Sequence, residues 1–267
     1  MNKELINWLD KRLKESKTAT IAFTGGLGSG KSYSCLSAAD DWYRYKFNEG
    51  FPIENCSFKL STFFDKILGG KLREGEIIIL EETGALIPSK EFMNKINRAF
   101  GYYMQTFRAL QVFVFFNLPV FKLMDSSTRI LINANFITQG IDKTKNLCEV
   151  KPFFHQLNQQ SGKIYPKYLR KSISNGGVRF RKRINKFYFK LPNKELRDSY
   201  EKKKQEFLKE YGEKVALQIE EQYKVKISYP HKCIRCDYQW TSAVEIPTAC
   251  PHCRVRKWNM PLLVQNA

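Results

Sequence analysis

One octapeptide constrains the architecture more than any other feature of this 267-residue chain. Gly25-Gly26-Leu27-Gly28-Ser29-Gly30-Lys31-Ser32 fits the spacing G-x-x-x-x-G-K-[ST]. By average residue usage such a match arises by chance in roughly one chain in a hundred of this length. Its flanks sharpen it: Thr18–Phe23 reads as a strand running into the glycines, and Lys31 to about Asn48 reads as a helix. A strand, a glycine turn and a helix N-terminus gather backbone N–H groups and positive partial charge at one point. Gly25 through Ser32, with Tyr33, are therefore expected to cradle the phosphates of a nucleotide such as ATP. Lys31 would reach the β- and γ-phosphates, and Ser32 would ligate Mg²⁺. A glycine-rich turn that holds nothing is the plain alternative.

Hydrolysis needs a carboxylate near the cation and another to activate water. Ile77-Ile78-Ile79-Leu80-Glu81-Glu82 offers both at the end of a continuous apolar strand, where parallel sheets place their ligands. Glu81 is expected to act on Mg²⁺, and Glu82 to polarise the attacking water; an exposed acidic pair opening a loop would look the same. Asn117 ends the next apolar run, Val112–Phe116. It can orient water or touch the γ-phosphate, or it can be a turn residue before Pro119. Arg98, Arg108 and Arg129 are candidates for an arginine finger acting across a subunit interface, with a surface ion pair as the alternative for each.

Around these positions strands alternate with helices, which implies an α/β domain with a mostly parallel sheet. An amphipathic helix spans residues 1–15, and further helices are predicted from Ser61 or Thr62, over Ser89–Leu110 and over Phe121–Leu131. Strands are predicted at Cys56–Phe58, Glu76–Leu80 and Ala134–Gly140. Leu147–Phe154 and Lys163–Leu169 then read as a hairpin, followed by one strand over Val178–Leu191. Asn193–Tyr223 reads as a charged helix with Leu196, Tyr200, Phe207, Tyr211, Val215 and Ile219 along one stripe.

The glycine loop, the apolar strand ending in Glu-Glu, Met104-Gln105-Thr106-Phe107-Arg108 and Asp125-Ser126-Ser127-Thr128-Arg129 together resemble the zonula-occludens-toxin-like ATPase domain. This domain belongs to the FtsK–HerA group of P-loop ATPases. Versions from archaea and their mobile elements look most similar, over roughly residues 17–200. The resemblance implies a P-loop fold with an additional strand, assembly into a ring that is often hexameric, and ATP-driven movement or packaging of DNA. Filamentous-phage relatives continue into a membrane segment for virion export, and that role does not carry over. Asn117 stands where the wider group often has Gln.

Near the C-terminus, Cys233-Ile234-Arg235-Cys236 and Cys250-Pro251-His252-Cys253 are separated by thirteen residues. Two such pairs can bring four thiolates tetrahedrally onto Zn²⁺. The site would be closed and structural, and the metal would supply folding energy that so short a segment lacks. Tyr238, Trp240, Glu245, Pro247 and Trp258-Asn259 make the segment resemble small archaeal zinc ribbons. The other three cysteines are scattered, and an odd total of seven speaks against a disulfide framework.

Charge points to the partner. Forty-five Lys and Arg against 26 Asp and Glu give +19, which favours polyanions, nucleic acid ahead of membrane surface. Between Lys163 and Lys190 there are ten basic residues and no acidic one, with Arg179, Arg181 and Arg183 on one strand face. Tyr165, Tyr168, Phe180 and Tyr188 are interleaved with them. The pattern predicts sequence-tolerant, backbone-tracking contact with nucleic acid, DNA foremost; a solvated edge strand guarded by charge is the alternative. No segment approaches the roughly 18 apolar residues of a membrane span, and residues 1–17 lack the apolar stretch of a secretion signal. A soluble cytoplasmic protein is expected.

The sequence thus predicts an ATPase domain over 1–192, with a basic β extension from about 145, a charged helical connector over 193–226 and a zinc ribbon over 227–267. The expected function is an oligomeric, ATP-hydrolysing DNA translocase or packaging motor. A nucleotide-switched DNA-binding or assembly protein without motor activity is the rival.

Overall fold

The computed structural model describes residues 2–81, 109–124, 126–175, 178–223 and 229–260. Glu82, Arg98, Arg108 and most of the helix predicted over 89–110 lie outside these. The chain divides into two compact units, Met1–Phe207 and Leu208–Ala267.

The first unit is built on a mixed, mostly parallel sheet. Strands β1 (Thr20–Thr24), β2 (Cys56–Ser57), β3 (Ile77–Leu80), β4 (Phe113–Leu118) and β5 (Ala134–Asp142) form its parallel part in the order 5-1-4-3-2. β4 therefore lies between β1 and β3, pairing in parallel with both. Beyond β5 the sheet turns antiparallel: β6 (Leu147–Leu157) pairs with β5, and both β10 (Phe187–Lys190) and β7 (Ile164–Lys167) pair with β6. β8 (Leu169–Asn175) and β9 (Val178–Ile184) make a separate antiparallel ribbon.

The continuous apolar runs of the central strands follow from burial on both faces. Side chains alternate along a strand. Accordingly Ile21, Phe23, Ile77, Ile79, Phe113 and Phe115 fall in one core, and Ala22, Ile78, Leu80, Val114 and Phe116 in another. The first core is roofed by α1 (Lys3–Lys14), α2 (Lys31–Lys46) and the start of α5 (Lys194–Tyr223), through residues such as Leu9, Trp42 and Tyr200. The second is roofed by α3 (Leu60–Leu68), with Phe63 and Ile67 pointing in. Each such side chain contributes about 1.5–3 kcal/mol by leaving water, so the two cores fix the sheet between its helix layers. Asn2 caps α1, its Oδ1 accepting from the Leu5 N–H at 3.2 Å.

Three predicted elements differ. The helix expected from Ser61 or Thr62 begins at Leu60, with Lys59 at the N-cap position, where its side chain makes no capping hydrogen bond. The helix expected over Phe121–Leu131 is split: a 3₁₀ turn covers Phe121–Leu123, Met124 is extended at ψ 141°, and α4 covers Ser126–Leu131. The strand expected over Val178–Leu191 is two strands, because β9 follows β8 while β10 buries Phe187 and Phe189 beside β6.

The second unit contains the rest of α5 and a small antiparallel pair, β11 (Tyr229–Lys232) and β12 (Gln239–Ser242). No helix among the described residues is long and apolar enough to cross a membrane.

Candidate functional site

The glycine loop lies at the C-terminal end of β1, between its two pairing partners β4 and β5. Gly25 has φ 152° and Gly30, the N-cap of α2, has φ 89°; both are backbone states that glycine adopts without a Cβ penalty. Neighbouring elements hold the loop. The Gly25 N–H donates to the Pro119 carbonyl at 3.2 Å. Thr138 Oγ1 donates to the Thr24 carbonyl at 3.0 Å and lies 2.6 Å from Ser29 Oγ. A register shift between Thr138 and Gly140 marks a bulge in β5 at this point, a common device for re-aiming a side chain next to a site. Cys148 Sγ on β6 touches the Ser29 carbonyl at 3.4 Å. Gly26, Leu27 and Gly28 are exposed, Leu27 almost completely at 97%.

Lys31 is buried, and its ammonium donates to the carbonyls of Gly25 at 3.0 Å and Gly26 at 2.9 Å. The cation is thus inside the loop. One residue on, Ser32 meets two residues from other strands. Asn117 Nδ2 donates to Ser32 Oγ at 2.8 Å and to Glu81 Oε2 at 2.8 Å, and Ser32 Oγ donates to Glu81 Oε2 at 3.4 Å. Glu81 and Asn117 are 4% and 1% exposed, so this is a buried polar cluster at the ends of β3 and β4 and the start of α2. Its oxygens are the hard donors that Mg²⁺ takes. Two oxygens bound side by side at about 2.1 Å would lie about 3 Å apart, against the 3.4 Å between Ser32 Oγ and Glu81 Oε2.

Two residues that the sequence reading left out of the site belong to its walls. Thr138 is one. Tyr200, from α5, is the other: it is 1% exposed, and its ring packs beside Tyr33 at 6.3 Å and Phe58 at 5.6 Å. Burial first, and then the charge of Glu81, push its phenol far above the ordinary tyrosine value. Burial and Glu81 do the same to the thiols of Cys35 and Cys56. Tyr33 turns toward α5, its hydroxyl donating to Glu201 Oε1 at 2.9 Å. Arg129 lies on α4.

The second unit brings Cys233, Cys236, Cys250 and Cys253 together, with all four Sγ atoms within 4.8 Å of one another. Cys233 and Cys253 are 3.7 Å apart, and Cys236 and Cys250 are 3.8 Å apart. A tetrahedron with Zn–S of about 2.3 Å has edges of about 3.8 Å, so the four cysteines can hold a metal such as zinc. Both pairs sit on matching turns. Asp237 N donates to the Cys233 carbonyl and Arg254 N to the Cys250 carbonyl, each at 2.9 Å. Asp237 and Arg254, each just after the second cysteine, have φ 54° and 58°. At Cys233, burial raises the thiol, but the Arg235 and Cys236 amides and neighbouring thiols outweigh it and bring the pKa to about 7. Amides aimed at sulfur favour the thiolate that a metal needs.

The basic segment is spread over two structures. In the β8–β9 ribbon, Arg170 pairs with Arg183, Ser172 with Arg181 and Ser174 with Arg179, which sets these residues on one face by register. Leu169 and Ile184 pair on the other face and pack against the first core. Arg181 and Arg183 are exposed. A cleft of about 580 Å³ between ribbon and sheet is lined by Phe154, His155, Lys167, Tyr168, Arg170 and Arg183 among others. Of the interleaved aromatics, Tyr165 and Tyr188 are exposed, whereas Tyr168 already carries Phe153 at 4.9 Å and the Arg183 guanidinium at 5.1 Å.

No family model matches the chain, and no curated protein does. Among solved structures, the N-terminal domain of zonular occludens toxin from Neisseria meningitidis is similar over 68% of this chain and 97% of that one, with 14% sequence identity and a TM-score of 0.34.

Proposed function

We propose that this chain is a Mg²⁺-dependent, P-loop ATPase that handles DNA, and that it works as an oligomeric translocase or packaging motor. One observation carries the reading: Lys31, Ser32, Glu81 and Asn117 come from three separate segments, yet meet at one end of the sheet beside the glycine loop. An exposed acidic pair at the start of a loop would leave Glu81 in solvent, whereas here it is buried against Ser32. The position of β4 between β1 and β3 also supports it, since it aims Asn117 at both.

In this reading the loop amides and Lys31 bind the phosphates, and Ser32 and Glu81 hold Mg²⁺. The cation supplies charge neutralisation on the phosphoryl oxygens. Asn117 keeps Glu81 and Ser32 in register, while Glu82 is the proposed base for water and Arg108 a proposed finger. The Cys233, Cys236, Cys250 and Cys253 site holds structural Zn²⁺, and the arginine face of the ribbon tracks DNA phosphates without reading sequence.

The test is ATP turnover with and without DNA, run alongside mass in solution and displacement of a protein or strand from DNA. Lys31→Ala should lower turnover at least 100-fold, because the phosphates lose their only loop ammonium among the described residues. Undiminished turnover in Lys31→Ala overturns the loop assignment. ATP-independent binding without displacement replaces the motor by a switch.

A further inference from the structure

The hairpin of β6 and β7 borders two clefts whose chemistry differs. The one already described, of about 580 Å³, gathers Lys167, Arg170 and Arg183. The other, of about 630 Å³, is lined by Tyr165, Leu157, Lys167 and the carboxamide residues Gln156, Gln159 and Gln160 among others. Both volumes fall within the roughly 300–1,000 Å³ of ligand sites. The two clefts share Gln156 and Lys167 as a common wall, and among the described residues no carboxylate lines either.

Register builds that wall. Gln156 pairs with Tyr165 and Phe154 with Lys167, so Tyr165 and Lys167 share one face of β7, two residues and about 6–7 Å apart. Lys167 Nζ donates to Gln156 Oε1, which commits the oxygen of that carboxamide and leaves its nitrogen to donate. The turn beyond is held by its own bonds. Asn158 Oδ1 accepts from the Gln160 and Ser161 amides at 2.9 and 3.1 Å, and the Gly162 N–H donates to the Asn158 carbonyl at 2.9 Å. Gln159 and Gln160 are exposed on this ordered turn, and Tyr165 is 48% exposed. Tyr168 already carries Phe153 and Arg183, whereas Tyr165 has no aromatic or cationic partner among the described residues.

The cations of the first cleft are not neutralised. Nearby, Lys171 reaches Glu4 at 3.0 Å and Lys186 reaches Glu149 at 2.8 Å. Lys167, Arg170 and Arg183 have no carboxylate partner among the described residues, and uncompensated cations of this kind take phosphate. An open aromatic face beside carboxamides, which both donate and accept, takes a nucleobase. A nucleotide carries both groups, and the shared wall sets the two requirements side by side. Bases of a duplex are stacked and paired, so only an unpaired one can lie on Tyr165. We propose that the β6–β7 hairpin carries a one-nucleotide site for single-stranded nucleic acid, with an unpaired base on Tyr165 beside the carboxamides and its phosphate at Lys167 and the ribbon arginines. This rests on the proposed DNA contact and deepens it: the arginine face serves any phosphate backbone, and the second cleft adds affinity that only an unpaired base gains.

Fluorescence anisotropy of the full, metal-loaded chain tests the site with three labelled ligands of equal length: a thymidine single strand, the same strand with abasic sites in place of its bases, and a duplex. The single strand should bind about five- to 150-fold more tightly than the abasic strand, the worth of one stacked base. Tyr165→Ala should remove that difference and leave the abasic strand and the duplex within twofold of wild type, while Tyr165→Phe should keep it. Photocrosslinking of a 5-iodouracil strand to the wild type, mapped by mass spectrometry, needs no variant and should fall within residues 156–167. Equal affinity of the wild type for the single and abasic strands, an undiminished preference in Tyr165→Ala, or crosslinks only outside 156–167 overturns the site and leaves phosphate tracking by the arginines standing. Thymidine monophosphate that displaces the strand at equal nucleotide concentration overturns the strand as ligand in favour of a free nucleotide. Failure to bind any of the three ligands overturns this site and the proposed DNA contact together.

Discussion

A methyl group added at Gly25 would fall 2.1 Å from Thr138 Oγ1 and 2.7 Å from Ser29 Oγ, at a φ of 152° that residues with a Cβ rarely adopt. Thr138 cannot yield cheaply, because its hydroxyl also holds the Thr24 carbonyl and its strand is bulged at that point. Gly25→Ala should therefore cost about 1–3 kcal/mol of stability and weaken ADP binding by displacing the loop. Gly26 is the control, since a Cβ there meets nothing within 4 Å. Thermal unfolding and ADP titration of both variants check the pair of expectations; equal losses would show that the contact with Thr138 is not the cause. The same residues mark the reach of sequence reading. Lys31 and Ser32 are legible because a local spacing encodes them. Thr138 and Tyr200 are not, because each meets its partner across more than a hundred residues: Ser29 and Thr138 are 109 apart in the chain. Tyr200 was visible only as one position in a helical stripe, which marks burial and says nothing of what it is buried against.

Elements were legible where packing dictated their composition. β3 and β4 read as buried strands because both faces are covered, and α1 as a helix because Leu5, Ile6, Leu9 and Leu13 repeat at helical spacing. The boundary between β9 and β10 was hidden, since Asn185-Lys186 carries neither Gly nor Pro and the two strands differ only in which neighbour they join. That division matters for the proposed DNA contact. β10 is tied into the main sheet through Phe187 and Phe189, while the ribbon presents Arg170, Arg181 and Arg183 on the face opposite Leu169 and Ile184. If this face tracks phosphates, each contact releases counterions, and log affinity falls with log salt by about 0.9 per phosphate on duplex DNA. Arg170→Gln and Arg181→Gln should each reduce that slope by about one, by similar amounts on unrelated sequences. Fluorescence anisotropy across a salt series measures it. A slope unchanged in the double variant would move the contact off the ribbon.

At the scale of the whole molecule, the two units reach stability by different routes. The first buries aromatic and aliphatic side chains on both faces of its sheet, with Cys35, Cys56 and Cys148 sealed inside. The second has only Cys233, Cys250 and Trp258 as its buried cluster among the described residues, and two of these are thiols of the candidate metal site. Trp258 contributes a hydrogen bond from Nε1 to the Pro247 carbonyl at 2.7 Å and an edge contact with Trp240 at 4.9 Å. That is too little apolar area to offset the ordering of the chain, and the proposed metal would supply the difference. Chelation should therefore undo the second unit while leaving the first folded. Alkylation by iodoacetamide under native conditions, counted by mass spectrometry, separates the outcomes. With metal bound, all seven cysteines should be protected; after chelation four should react, at 233, 236, 250 and 253. Cys35 and Cys56 should stay unreactive, because burial and the nearby charge of Glu81 push their thiols well above the ordinary value and keep them from ionising. Protection of the four after chelation would mean that the ribbon folds without metal, and alkylation of all seven would mean that the first unit depends on it too.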